Sequence, residues 1–214
     1  MSHSDETMLK GIGVSPGIVI SSARVLRSDI SQISTRVISS DKIEIELERF
    51  RSALQETRKQ ILHIRKQVAD VLDEEHARIF DAHMLVVEDQ LLIDDVEKSI
   101  SVEKINVEPV LQKIASSYAD KLAGLDDEYL SGRAVDIRDV TKRIISNLAD
   151  GIVENLHTID SPCILVSNDL LPSDTAGLDV NKVKAFITDL GSANSHTAIM
   201  ARALNVPAVV GLRN

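Results

Sequence analysis

The chain has 214 residues, 43% of them hydrophobic and 27% charged, a globular composition with enough length to bury a core without disulfide or metal staples. Only 2% are aromatic, with no Trp, so an aliphatic core is predicted and binding by aromatic stacking is excluded. Lys and Arg number 24 against 33 Asp and Glu, a net charge of −9, which argues against nucleic acid and against an anionic membrane surface.

Cys163 is the only cysteine, so no intrachain disulfide and no cysteine zinc cluster can form. The first ten residues lack the apolar run of a signal peptide, and no stretch approaches the roughly 18 apolar residues of a membrane span. A cytoplasmic location is therefore expected.

In chain order, Ile18–Ile20 and Ala23–Leu26 read as short β-branched strands, punctuated by Gly11, Gly13, Pro16 and Gly17. From Ser40 to Leu148 the texture is helical, with no glycine between Gly17 and Gly124. Ile43, Leu47, Phe50, Leu54, Thr57, Ile61, Ile64, Val68 and Val71 recur in steps of four and three, the single stripe of one long helix capped by Ser40 or Asp41. Such a stripe needs partners, which 76–89, 90–100, 107–122 and 128–148 can supply as an antiparallel helical bundle. Beyond Gly151 the pattern changes to strand, helix and strand: Pro162–Val166, Ala185–Thr188 and Pro207–Val210, with a helix at Ser195–Leu204. The expected fold class is α/β plus all-α, with the helical block inserted into one α/β domain whose first strands come from the N-terminal segment.

The strongest chemical signal is the run from Asp189 to Leu204, in which a strand ends, a loop of small residues follows and a helix begins. Ser195 is a good N-cap, which puts His196 at the first helical position. A helix N-terminus carries partial positive charge and unpaired N–H groups, so it favours a neutral imidazole and can receive a phosphate. On the residues alone, His196 is either a polar residue at a helix start or a histidine that carries a phosphoryl group. Arg202 lies six positions on, about 240° around an ideal helix, so a structural salt bridge is its expected role. Other motifs fail: Gly11-x-Gly13-x-x-x-Gly17 has one residue too many for a dinucleotide loop, and there is neither a Walker loop nor a Gly-x-Ser-x-Gly elbow. His76 and His83 stand seven apart but lack a third ligand at useful spacing, so no metal site is expected; His3, His63 and His157 read as surface residues.

Gly191, Ser195-His196, Ala198-Ile199, Ala201-Arg202 and Pro207-Ala208-Val209-Val210-Gly211 resemble the phosphohistidine signature of enzymes that use phosphoenolpyruvate. Ser192 stands where that signature usually has a second Gly, and Asn194 where it has Thr. Two further blocks, Asp126-Asp127-Glu128-Tyr129-Leu130 and Arg133-Ala134-x-Asp136-Ile137-Arg138-Asp139-Val140, are similar to enzyme I of the bacterial phosphotransferase system. So are Ser15-Pro16-Gly17 and Asp169-Leu170-x-Pro172-Ser173-x-Thr175, and the resemblance runs from about Leu9 to Gly211.

The resemblance implies a swivelling phosphohistidine α/β domain at residues 8–36 and 149–214, cut short at its C-terminal end, with an inserted helical domain at 37–148. It implies that His196, through Nε2, takes a phosphoryl group from phosphoenolpyruvate and passes it to a histidine of the carrier protein HPr. Thr175, Ser195 and Arg202 are its expected supports, although Thr175 on sequence alone is equally a turn or capping hydroxyl. His83, Leu85, Asp89, Arg133 and Arg138 are the expected HPr-docking residues, a solvated helix face being the plainer reading. Phosphoenolpyruvate and Mg²⁺ are expected on a C-terminal barrel outside this chain, with no cofactor here, a homodimeric full-length enzyme and a monomeric fragment. Two alternatives are the swivelling domain of a pyruvate phosphate dikinase or phosphoenolpyruvate synthase, and a non-catalytic carrier-binding module.

Overall fold

The computed structural model describes residues 8–26, 33–71, 73–148, 159–172, 174, 179, 181–193 and 195–212. The chain divides into two compact units, residues 1–28 with 156–214 and residues 29–155.

The first unit is built on a five-stranded sheet ordered β1-β5-β4-β3-β2, from β1 (Ile12–Ser15), β2 (Ser22–Leu26), β3 (Cys163–Ser167), β4 (Val183–Thr188) and β5 (Ala208–Val210). β2 to β5 are parallel, with Ala23 opposite Ile164, Ile164 opposite Ala185 and Phe186 opposite Ala208; β1 is an antiparallel edge on β5. The N-terminal strands thus close both edges of the sheet formed by the C-terminal ones. A helix, His196–Ala203, carries the chain from β4 to β5 as a βαβ unit. Its Ala198 and Ala201 are buried against Leu165, Phe186, Ala208 and Val210, and small residues let the helix lie close to the sheet.

The β-branched run Ile18–Ile20, expected as a strand, is not one. Ile18 and Ile20 are 95% and 96% exposed, and β1 instead uses Ile12–Ser15. Gly17 stands between β1 and that run; at φ +140° its α-carbon lies so close to Pro207 that an added Cβ would sit 2.4 Å from that ring. The ladder ends at Ser15, and β-propensity without a partner strand does not make a strand.

The second unit is helical: a 3₁₀ turn at Ser40–Lys42, then α1 (Ile43–Val71), α2 (Glu74–Ala77), α3 (Ile79–Val87), α4 (Gln90–Glu103), α5 (Val107–Ala123) and α6 (Glu128–Leu148). The helix of the first unit is α7. The α1 stripe is buried at Leu47, Phe50, Thr57, Ile61, Ile64 and Val68, and Ala53 joins it. α1 packs on α3 and α6, and α5 on α4 and α6. Polar ties fix the ends of these helices. Glu46 of α1 accepts from the Val107 backbone N–H at the start of α5 (2.8 Å), and Arg49 bonds both Glu108 and the Leu148 carbonyl at the end of α6.

Two boundaries differ from expectation. The helix expected over 76–89 is two, because Asp73 caps α2 and the chain turns at Arg78 before α3. The stretch from Ser34 belongs to the helical unit, since Asn106 accepts from the Arg36 N–H (2.6 Å) and donates to the Ser34 carbonyl (3.0 Å).

Candidate phosphoryl-transfer site

Two loops leave the carboxyl ends of adjacent parallel strands, one starting at Asn168 after β3 and one at Asp189 after β4, where open parallel sheets place their ligands. Backbone bonds from Asp189 to the Ser167 carbonyl (3.1 Å) and from Leu190 to the Asn168 carbonyl (2.9 Å) zip the loop bases together. His196 is the first residue of α7, half-buried, at the positive end of the helix dipole. Ser195 is the N-cap, with extended backbone and Oγ accepting from the Ala198 N–H at 3.3 Å. Gly191, at φ +115°, lets the loop pass beneath that cap: an added Cβ would sit 3.3 Å from Ser195 Oγ and 3.2 Å from Val210 Cβ.

Among the described residues Arg202 has no carboxylate partner. Its Nη1 donates to the Ala193 carbonyl at 3.1 Å and to Val14 at 3.5 Å, so it clasps the loop leading into His196. Thr175, Asn194, His3 and His157 lie outside the described residues. Sequence reasoning passed over three buried hydroxyls here, on Ser167, Thr188 and Thr197. Thr197 bonds the Leu170 carbonyl 27 positions away, a partner that no local pattern announces.

The expected docking residues separate. His83 is not a surface group: it is 1% exposed, between α3 and α6, with Nδ1 2.8 Å from the Ile79 carbonyl and Nε2 3.1 Å from Asp139. Burial pulls the imidazole pKa down, but the Asp139 carboxylate, the Ile79 carbonyl and Asp136 outweigh it and hold the ring above its ordinary value. Both ring nitrogens lie beside oxygens, and a ring that donates to both is an imidazolium. Asp136 is pushed up, first by burial and also by Asp139, against the pull of His83 and Arg133. Arg133 pairs with Asp136 at 3.2 Å and Arg138 with Asp120 at 3.2 Å. Leu85 is 71% exposed. Asp89 caps α4, accepting from the Leu91 and Leu92 N–H groups at 2.9 and 3.0 Å. His76 is bound to its own cap, Asp73, at 2.7 Å, and the turn at Arg78 separates it from His83. Among the described residues, no three His, Cys, Asp or Glu side chains cluster as a metal site, and no helix is long and apolar enough to cross a membrane.

Residues 10–133 match the family described as PEP-utilising enzyme, N-terminal, and residues 159–214 the PEP-utilising enzyme, mobile domain. A phosphoenolpyruvate-protein phosphotransferase of Listeria monocytogenes is 44% identical over 206 residues, and one of Bacillus subtilis 40% over 205; each alignment covers 96% of this chain and 36% of the relative. The chain thus spans about a third of the length of the curated relatives it matches. An NMR solution structure of an Enzyme I (nEIt) protein is 40% identical, with a TM-score of 0.78 over 97% of this chain and 84% of that one. The N-terminal domain of an Enzyme 1 - Nitrogen is similar at 26% identity and a TM-score of 0.69, over 95% and 83%.

Proposed function

Because this chain belongs to the PEP-utilising enzymes, as an N-terminal region of the enzyme I kind, we propose that it exchanges a phosphoryl group between His196 and a histidine of the phosphocarrier HPr. The observation that carries the proposal is the position of His196 at the first residue of α7, capped by Ser195, beyond the carboxyl ends of β3 and β4. In the step, the N–P bond of the carrier breaks as an N–P bond to His196 Nε2 forms, and the second ring nitrogen of the carrier's histidine keeps its proton. There is little covalent work for the protein beyond holding donor and acceptor in line, so positioning and the helix N-terminus supply the catalysis.

The carrier docks, in this proposal, on the helical unit through exposed Leu85 of α3 and through Arg133 and Arg138 of α6. His83 takes no direct part, and Asp89 acts first as a helix cap. Phosphoenolpyruvate use and dimerisation belong, in the same reading, to the longer enzyme, and so does a cytoplasmic place in sugar uptake.

The test is labelling. Incubation with radiolabelled phospho-HPr is expected to leave an acid-labile, alkali-stable label on the wild-type chain and none on His196→Ala. Label persisting on a folded His196→Ala chain sinks the assignment. Phosphoenolpyruvate and Mg²⁺ alone are expected to leave this chain unlabelled.

A further inference from the structure

We propose that Thr197 is a positioning residue for phosphoryl transfer at His196, acting through the Leu170 carbonyl on the facing loop. The inference rests on the phosphohistidine reading of His196.

Thr197 is the second residue of α7 and is buried. At the second position of α7 there is no carbonyl three or four residues back within the helix for its hydroxyl to take, and Thr197 Oγ1 donates instead to the Leu170 carbonyl at 3.1 Å. That bond joins the helix start bearing His196 to the loop that follows β3. Zipping at the loop bases fixes where the two loops begin, and Thr197 ties them again beside the reacting histidine.

The same device recurs around the site. Ser167 and Thr188, the buried last residues of β3 and β4, donate to the Asp169 and Leu190 carbonyls, each at 2.6 Å. Arg202 takes the Ala193 carbonyl. Four carbonyls in the two loops therefore hold side-chain donors. A phosphoryl group brings about −1.5 to −2 charges, which bare carbonyl oxygens repel. Engaging three of those oxygens with buried hydroxyls, and the fourth with a guanidinium, both stiffens the loops and occupies acceptor dipoles that would oppose the anion. Thr197 is the hydroxyl that does this from the start of α7 to the loop after β3, so its loss is expected to loosen the site without touching the carrier-binding surface.

The experiment compares wild type, Thr197→Val and Thr197→Ser in single-turnover labelling from phospho-HPr, over a range of carrier concentrations. Valine keeps the shape and removes the donor. It is expected to slow transfer at saturating carrier by about three- to tenfold, the weight of one hydrogen bond. The half-saturating carrier concentration is expected to stay unchanged, and serine to restore the rate to within about twofold of wild type, because the donor is regained. Valine and wild type transferring equally fast overturn the proposal. A serine variant as slow as valine does the same, since packing rather than the hydroxyl would then matter. Thr197→Ala against Thr197→Ser repeats the comparison of one hydroxyl if valine does not fold. Absence of label on wild type overturns the phosphohistidine reading itself, and with it this proposal; that result differs from equal labelling of wild type and valine.

Discussion

His83 on α3 and Asp139 on α6 stand 3.1 Å apart, both 1% exposed, with the other nitrogen of the imidazole on the Ile79 carbonyl. The pair pins two helices of the bundle with a charge that water does not reach. Removing one member of such a pair strands the other, which costs about 3–5 kcal/mol, although the intact pair itself adds little over an apolar contact.

The folded state holds the His83 proton more tightly than the unfolded chain does, because the ring's pKa is raised on folding. The contribution of this proton is therefore complete below about pH 6.5, the ordinary histidine value, and is lost as pH rises through the higher folded value. Urea unfolding of the wild type from pH 6 to 9 is expected to show this decline, and Asp139→Asn, which lacks the counter-charge, to flatten it. Parallel profiles for the two proteins would rule out the linkage.

Gly191→Ala is expected to lower stability by about 1–2 kcal/mol, the ordinary cost of a left-handed backbone for a residue with a Cβ. The added methyl also presses on Ser195 Oγ at 3.3 Å, so the cap of α7 is disturbed and labelling of His196 from phospho-HPr slows. Gly13→Ala is the control: nothing lies within 4 Å of its added Cβ, so this site leaves labelling untouched. Denaturant midpoints and labelling rates measured together decide the matter, and an unchanged Gly191→Ala chain contradicts it.

The surface proposed for the carrier predicts a split between binding and folding. Leu85→Asp and Arg138→Glu change exposed side chains, so stability is expected to move by no more than about 0.5 kcal/mol. Affinity for HPr, followed by titration calorimetry, is expected to fall by at least tenfold for each. His83→Ala is expected to show the opposite pattern, with a large stability loss as its first effect. Full affinity in Leu85→Asp and Arg138→Glu would move the docking surface elsewhere.

Most of the secondary structure was legible in the sequence because it rests on local periodicity. The stripe from Leu47 to Val68 is one amphipathic face, and it folds as the buried side of α1. The Ser195 cap ahead of His196 is a short-range signal and reads correctly for the same reason. Ile18–Ile20 shows the limit. Its residues favour strands, yet a strand needs a neighbour, and Ile18 and Ile20 stand exposed without one.

By itself the sequence determined the helical block, the α/β alternation after it and the place of the histidine at a helix start, all set by spacings within a few residues. Tertiary structure alone decided that His83 is a buried partner of Asp139 and not a surface group. It also decided that Arg202 holds the Ala193 and Val14 carbonyls, and that Thr197 reaches Leu170. Each of those depends on which distant group arrives beside a side chain when the strands and helices assemble. For a titratable or hydrogen-bonding residue, that neighbour sets both its charge and its role.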